Sequence, residues 1–493
     1  MNEVHHAAIA SSFEELFDGY YFREKPTDQT RLTNVEYFSQ HLRSLSDYSE
    51  TIFVCITPEK RAYVNRRPVS WIDGNKQIKG IENRLGLIVT EHPIEDEKIT
   101  TPQFIVKDSW VFLLQLTAYL RNQFTGPVVA ITGSAGKTST RLLISHLFRE
   151  KKVLENRGNH NVRFAIPLYG SKLLSAPDLV NLEISLNALN SYDTGSMSNL
   201  VKPTIAIVTS IGEAHLSSLK NTETVALYKS KIFEGLDQTG VALINRDMGE
   251  KEFSILLEAA KKHTEIIYTY SLTNQQCDVY VRRMESHREY TEIDVQFFNQ
   301  RVSYKMQTAS EGMIANSLAA LLTVWVIKGE IKSVLEKFED FHSLPKILEK
   351  KELNLMDGKT ITLIDDSHNA SVPAMKNAID YFHQLQPFYK GNAILVLGQI
   401  ADLGDTGPSQ HEKFRIIIEE STADFIFGYG KLFQPIFQTH EAKSSIQWFE
   451  TLEELQKAIT DKMNEDSLIL LKGSVTGSDF YKLGEQLKKS VGR

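Results

Sequence analysis

Cysteine is nearly absent from this chain. Its 493 residues include two, Cys55 and Cys277, which excludes a disulfide scaffold and a four-cysteine zinc site within the chain and fits a reducing cytoplasm. Positive charge is not in excess either. Against 62 Asp and Glu there are 55 Lys and Arg, a formal net charge of -7, so nucleic acid is not an expected partner; local basic pockets for phosphates stay open. No run of about 18 uninterrupted apolar residues occurs, and no membrane span is expected. Met1 to Ser12 carries His and Glu without a long apolar core and does not read as a signal peptide. Short-period repeats and low-complexity tracts are also missing. What remains is ordinary globular composition, 42% hydrophobic and 24% charged, in a chain long enough for two or three domains.

The first 125 or so residues are mixed. Phe13 to Tyr21 is rich in aromatics, Val35 to Ser46 has helical spacing, Thr51 to Thr57 and Leu85 to Thr90 read as strands, and Ser109 to Asn122 as an amphipathic helix. Then strands begin to alternate with helices. Pro127 to Thr132, Leu179 to Glu183, Ile205 to Thr209 and Val241 to Asn245 are the strands of an α/β unit with a largely parallel sheet; Ser139 to Glu150 and Gly312 to Lys328 are helices in it. A second alternating unit starts near Phe341, with strands at Thr360 to Ile364, Ala393 to Leu397, Phe425 to Phe427 and Ser467 to Leu471, and helices such as Ala374 to Gln384 and His411 to Glu420. These patterns divide the chain into residues 1–125, 126–340 and 341–493.

The strongest single motif is Gly133-Ser134-Ala135-Gly136-Lys137-Thr138, followed by Ser139 at the start of a helix. A glycine-rich turn lets backbone N–H groups close around phosphate oxygens, and the following helix offers its N-terminus to the same anion. Lys137 adds charge at the β- and γ-phosphates, and the Thr138 hydroxyl is a ligand for Mg²⁺. The spacing is Gly-x-x-Gly-Lys-Thr, shorter than the general pattern, because Ala130 stands three residues before Gly133.

Val129 to Thr140 resembles the ATP loop of the Mur ligase family, which has this shorter spacing. Further resemblances follow in the family's order. They are Gly158-Asn159-His160-Asn161 with Pro167; Leu182-Glu183-Ile184-Ser185, like a strand end that supplies a metal-binding glutamate; Thr209 to His215, like the segment carrying a metal-binding histidine; Lys229-Ser230-Lys231-Ile232-Phe233, like the segment with a carbamylated lysine; and Asn245-Arg246-Asp247. In the last third, Asp365 to Ala370 with Pro373 and Met375, and Val396 to Gly404 with His411, resemble signatures of the MurF class of that family; Lys472-Gly473-Ser474 resembles its closing motif.

The resemblance implies an α/β protein of three domains: an N-terminal substrate-anchoring domain, a central P-loop ATPase domain and a Rossmann-like C-terminal domain that closes over the site. It implies ATP and Mg²⁺ as cofactors, and a reaction in which a carboxylate becomes an acyl phosphate and an amine then displaces phosphate. On it, Gly133, Ser134, Ala135, Gly136, Lys137, Thr138 and Ser139 hold the phosphates, and Asn316 lies near the adenine. Asp366 and Asn369 approach the ribose and base. Thr138, Glu183, His215 and Lys229 hold metal, with Lys137, Lys229 and His215 as the catalytic set, while Asn161 and Lys472 contact substrate. On chemistry alone His215 reads as a loop histidine and either Lys229 or Lys231 as a surface lysine; helical register favours Lys229.

The sequence also departs from the family pattern. Gly312-Met313 stands where a His-Asn pair is common. Pro345-Lys346 replaces an arginine that helps place the γ-phosphate, and a lysine is not a bidentate fork. Val475 replaces another arginine, and His368 a tyrosine. In the N-terminal part, Ile72-Asp73-Gly74-Asn75 faintly resembles a family Asp-Gly-His segment, and Phe53-Val54 a preceding strand. Three readings follow: a MurF-like ligase adding D-Ala-D-Ala to a UDP-MurNAc-peptide in peptidoglycan synthesis; a ligase joining an amino acid or dipeptide to a different carboxylate; and a nucleotide-binding regulatory protein without ligation. A cytoplasmic monomer acting on small molecules, with domain closure over nucleotide, is expected for the ligase readings.

Overall fold

The computed structural model describes residues 9–27, 30–158, 160–212, 221–307, 310–343, 345–355, 358–401, 403–439 and 445–491. Among them are three sheets, which follow one another along the chain. The first has β1 (Gly19–Phe22), β2 (Asn34–Glu36), β3 (Thr51–Val54), β4 (Leu87–Thr90) and β5 (Gln103–Val106), in the order β1-β5-β4-β3-β2. Only the β1–β5 pair is antiparallel. β3, β4 and β5 are buried along their whole length, as strands covered on both faces must be. The Ser109–Gln123 helix, capped by the Asp108 carboxylate on the N–H groups of Trp110 and Val111, leads out of this layer. The helical spacing of Val35 to Ser46 does not yield an α-helix. That segment is β2 followed by a 3₁₀ turn at Ser39–Ser44, because Val35 and Glu36 pair with β3.

The second sheet has nine strands: β6 (Val128–Thr132), β7 (Val153–Glu155), β8 (Leu179–Glu183), β9 (Ile205–Val208), β10 (Val241–Asn245), β11 (Ile266–Ser271), β12 (Val279–Ser286), β13 (Thr291–Phe297) and β14 (Gln300–Met306). Their order is β14-β13-β12-β11-β10-β9-β6-β8-β7. The seven strands from β12 to β7 are parallel, and β13 and β14 continue the sheet beyond β12 through antiparallel pairs. The sheet changes direction of growth at β6, which lies between β8 and β9. That crevice at the strands' carboxyl ends is where an open α/β sheet takes a ligand. The Glu311–Lys328 helix packs on the Lys137–Leu147 helix. It is long and apolar enough to span a membrane by length and composition, but 67% of it is buried inside the protein, as a core helix is.

The third sheet runs β15 (Glu349–Asn354), β16 (Thr360–Asp366), β17 (Ala393–Gly398), β18 (Phe425–Tyr429), β19 (Ile446–Phe449) and β20 (Leu468–Lys472), in the order β15-β16-β20-β17-β18-β19. All pairs but β15–β16 are parallel. The helix expected from His411 to Glu420 is two pieces, Gly407–Glu412 and Phe414–Glu420.

The three units are joined by side chains. Phe164 of the central unit stacks on Trp110 at 5.2 Å and meets Tyr37 edge-on at 4.8 Å. At the other junction, Asn377 accepts from the Gly312 N–H at 2.8 Å and donates to Ser310 Oγ at 3.0 Å. The β12–β13 hairpin also reaches the third sheet. Arg288 pairs with Asp466 at 2.7 Å and stacks on Tyr389, while Lys350 Nζ donates to the Arg288 carbonyl.

His411 shows how a motif residue outside the nucleotide site is used. It is fully buried; its Nδ1–H donates to the Gly407 carbonyl and its Nε2 accepts from the Ile400 N–H at 3.0 Å. Burial lowers its pKa, and a second proton would break the Ile400 bond. The unfolded chain therefore takes that proton first. The His411 contribution to stability is complete above the ordinary histidine value near 6.5 and is lost as pH falls from there toward the lower folded value. In thermal and urea melts from pH 7.5 to 5, His411→Gln should flatten the slope of stability by up to about 1.4 kcal/mol per pH unit. An unchanged slope would show that His411 does not titrate in this range.

Candidate nucleotide and ligation site

β6 ends at Thr132, and the chain turns through Gly133 to Gly136 into the Lys137–Leu147 helix. This helix starts two residues earlier than its sequence pattern indicated. Two glycines make the turn. A Cβ at Gly133 would lie 1.9 Å from Thr209 Oγ1, and one at Gly136, where φ is +85°, would lie 2.5 Å from Asn316 Oδ1. The loop is laced to residues 209–212: Ser134 N–H donates to the Ser210 carbonyl, Ala135 N–H to Ser210 Oγ, and the Gly212 N–H to Ser134 Oγ. At the helix start, Gly136 is the N-cap and makes no side-chain cap bond. The first N–H groups, those of Lys137, Thr138 and Ser139, have no partner within the helix by its geometry. A rigid glycine turn feeding an uncapped helix start is a cradle for phosphate.

Two lysines converge beneath this cradle. Lys137 Nζ and Lys229 Nζ both donate to the Gly133 carbonyl, at 2.9 and 2.8 Å. Loss of hydration pushes the pKa of Lys137 down, partly opposed by Glu183. Lys229 is 1% exposed. Burial first, then the Lys137 charge, push its pKa well below the usual lysine value, with Glu183 opposing. Lys231, the alternative in the sequence, lies over the ring of Tyr228 instead. The structure thus separates two lysines that spacing left close.

Glu183, at the end of β8, is 3% exposed. Its Oε2 accepts from Thr138 Oγ1 at 2.8 Å and its Oε1 from Asn161 Nδ2 at 2.6 Å. Asn156 fixes the backbone there, accepting from the Glu183 N–H and donating to the Glu183 carbonyl. Thr138 and Glu183 offer the hydroxyl and carboxylate oxygens that a hard cation such as Mg²⁺ takes beside water and phosphate oxygens, so the residues present fit that ion. Among the described residues no three His, Cys, Asp or Glu side chains group as a metal site. His215 lies outside the described residues.

Asn316, expected near the adenine, is 7% exposed and abuts Gly136 of the phosphate loop. The third unit comes close through Pro373, whose Cγ would be 3.5 Å from a Cβ at Gly212. That brings the loop after β16 beside the phosphate loop. In it Asp366 is buried and Asn369 exposed. Lys472, expected to contact substrate, is 1% exposed; it pairs with Asp366 Oδ2 at 2.8 Å and donates to the Asn369 carbonyl at 2.6 Å. It braces this loop, because the parallel register sets Lys472 on β20 directly beside Asp366 on β16. Lys346, the candidate substitute for a missing arginine, is likewise engaged, donating to the Tyr481 carbonyl.

Sequence reading passed over three residues that the structure brings forward. Asn156 and Arg141 both serve Glu183; Arg141 is 3% exposed, and its Nε is 4.0 Å from Glu183 Oε2. The third is Arg61, whose guanidinium lies 3.6 Å over Phe164 and 4.9 Å from Trp71, with a buried Nη1 that has no hydrogen-bond partner. Tyr37 and His160 lie near it, and Glu36, which faces both of them, is paired with Lys172 and His41. The only signal for Arg141 was its position one helical turn past Lys137.

Residues 131–324 match the family model for the Mur ligase middle domain, and residues 353–475 the one for the Mur ligase glutamate ligase domain. The two cover well over half of the chain, in the family's order. The chain belongs to the Mur ligase family. This Mur ligase is 25% identical over 348 residues to the UDP-N-acetylmuramoyl-tripeptide–D-alanyl-D-alanine ligase of Escherichia coli strain K12, spanning 70% of this chain and 73% of that one. It is 27% identical over 377 residues to the enzyme of the same name from Bacillus subtilis strain 168, spanning 75% and 78%. In fold it is similar to MurF from Acinetobacter baumannii, with a TM-score of 0.78 at 21% identity over 97% of this chain and 98% of that one. A MurF from Thermotoga maritima in complex with ADP gives 0.73 at 18% identity over 93% and 98%.

The cradle makes a sharp prediction. Gly136→Ala forces a side chain into the left-handed region, at roughly 1–2 kcal/mol, and against Asn316. ADP affinity measured by calorimetry should fall about tenfold or more, with the far-UV circular dichroism unchanged. Wild-type affinity would mean that the loop does not hold the nucleotide in this conformation.

Proposed function

We propose that this Mur ligase joins D-Ala-D-Ala to the peptide carboxylate of a UDP-MurNAc-peptide, as an ATP- and Mg²⁺-dependent, ADP-forming ligase of the cytoplasm. The observation that carries the reading is the convergence of Lys137, Lys229, Thr138 and Glu183 on one end of one phosphate loop. Binding ATP alone would require the loop and Lys137; it would not require a buried second lysine and a pinned carboxylate beside them. The names of the curated relatives support the choice of substrates.

The chemistry asks two anions, a carboxylate and the γ-phosphate, to meet, so positive charge must be fixed where they approach. When bound, Mg²⁺ supplies charge neutralisation at the phosphates. Thr138 and Glu183 would hold it, and His215 belongs to the same proposal. Lys137 needs only to leave the Gly133 carbonyl to meet a phosphate oxygen. Lys229 is the proposed carbamate carrier. Its burial and the neighbouring Lys137 charge favour the neutral amine, the form that adds carbon dioxide, and the resulting anion would complement the Lys137 charge. Asn161 keeps the Glu183 carboxylate in place rather than reaching substrate on its own. The Asp366–Asn369 loop, held by Lys472, would lie against the nucleotide from the third domain.

Support for an anionic acceptor comes from Arg61. A guanidinium that lies over the rings of Trp71 and Phe164 and keeps a buried donor without a partner suits a phosphate or carboxylate of the acceptor. Arg61 is near His160, the residue before Asn161, whose side chain donates to Glu183.

Phosphate release from ATP and Mg²⁺ should require both UDP-MurNAc-tripeptide and D-Ala-D-Ala and give a product of the corresponding mass. Release with a different carboxylate, and none with this pair, would transfer the proposal to another acceptor. Lys137→Ala should abolish release; near wild-type turnover would remove Lys137 from the mechanism. Arg61→Ala should raise KM for the UDP-linked substrate about tenfold, the loss of one charge-assisted contact of roughly 1.5 kcal/mol, and leave KM for ATP unchanged. An unchanged KM for the UDP-linked substrate would show that Arg61 does not face it.

A further inference from the structure

Arg141 has no part in the steps above, yet it is one of the most deeply placed charges in the molecule. It sits on the Lys137–Leu147 helix, four residues after Lys137 and three after Thr138, and so shares a face with both. One end of its guanidinium is clamped: Nη1 pairs with Glu155 Oε2 at 2.6 Å, and the same oxygen accepts from Ser145 Oγ at 2.6 Å. Its backbone carbonyl accepts from Asn181 Nδ2 at 2.9 Å. The other end is free to act, because the buried Nε has no hydrogen-bond acceptor and stands 4.0 Å from Glu183 Oε2. A buried arginine N–H without an acceptor is costly and rare enough to need a reason.

The surroundings of Glu183 supply one. Its two oxygens are taken in front by Thr138 and Asn161, both neutral groups. Besides Lys137 and Lys229, Arg141 is a cation 4.0 Å from the oxygen that Thr138 holds, and a carboxylate that gives lone pairs to a metal is steadied by such neighbours outside the ligand set. We infer that Arg141 is a positioning residue for the divalent-cation site, held by Glu155 so that its Nε edge keeps the Glu183 carboxylate turned toward Thr138. The inference rests on the reading of Thr138 and Glu183 as the cation's protein ligands. It assigns Glu155 the lesser task of anchoring Arg141. A lysine at this position would carry the charge but has no second, fixed edge to present.

The test uses the full-length protein and ADP, titrated calorimetrically with Mg²⁺ and again with EDTA. In the wild type Mg²⁺ should tighten ADP binding. In Arg141→Met that enhancement should fall about tenfold or more, as outer-shell changes do at metal sites, while the affinity in EDTA stays within about twofold of wild type. Arg141→Lys should fall between them. Glu155→Gln, which leaves the guanidinium beside Glu183, should keep most of the enhancement. A purely structural Arg141 would instead lower the melting temperature of both Arg141 variants and leave the Mg²⁺ enhancement at its wild-type value, which overturns the inference. If Arg141→Met does not fold, Arg141→Lys decides by the same readout. Wild-type ADP binding that ignores Mg²⁺ would overturn the Thr138–Glu183 reading itself, an outcome distinct from failure at Arg141.

Discussion

Much of this protein is arranged around one carbonyl oxygen. The Gly133 carbonyl receives both Lys137 and Lys229, and two lysine amines are brought together where little water remains to screen a charge on either. Like charges so placed repel, and each is also penalised for burial. Glu183 is the compensating anion for both. Its own position therefore has to be fixed, which accounts for the density of polar contacts around it: Thr138 and Asn161 on its oxygens, Asn156 on its backbone, and Arg141 4.0 Å away. The fold contributes by ending β6 and β8 side by side, so that the phosphate loop and the carboxylate leave adjacent strands at the same edge.

The third domain applies the same economy with different residues. A lysine on one strand, Lys472, and an aspartate on the next, Asp366, are paired by the parallel register of β20 and β16. The pair is almost wholly out of water, and its spare hydrogen bond goes to the Asn369 carbonyl. Stability from such a buried pair is modest once desolvation is counted. Its consequence is geometric: the loop between β16 and the Val372–Leu385 helix has one shape, and Asn377 and Pro373 bring it against the central domain beside the phosphate loop.

Where the sequence was readable, local physics was enough. The five buried residues of β8 and the five of β10 read as strands, with boundaries that the structure keeps. The amphipathic helix read from Ser109 to Asn122 was equally plain, and the structure adds the Asp108 cap at its start. The segment from Val35 to Ser46 misled because helical spacing and a short edge strand followed by a 3₁₀ turn share the same few apolar positions. The β12–β14 extension was not anticipated, since its residues alternate between buried and charged and lack the apolar runs of the parallel strands.

By itself the sequence determined the phosphate loop, because a glycine turn, a lysine and a hydroxyl residue in one short segment do their work through backbone and local geometry. It also supplied the ordered motifs by which the family resemblance was drawn. Only tertiary structure distinguished the surroundings of Lys229 and Lys231, two residues apart, by burying the first against Gly133 and leaving the second over Tyr228. It showed Lys472, read from the sequence as a substrate contact, paired with Asp366, and brought out Arg141, Asn156 and Arg61. The reason is the same in each case. What a charged or amide side chain does depends on its partner and on how much water is left around it, and those partners lie on other strands or in another domain, where no spacing along the chain can show them.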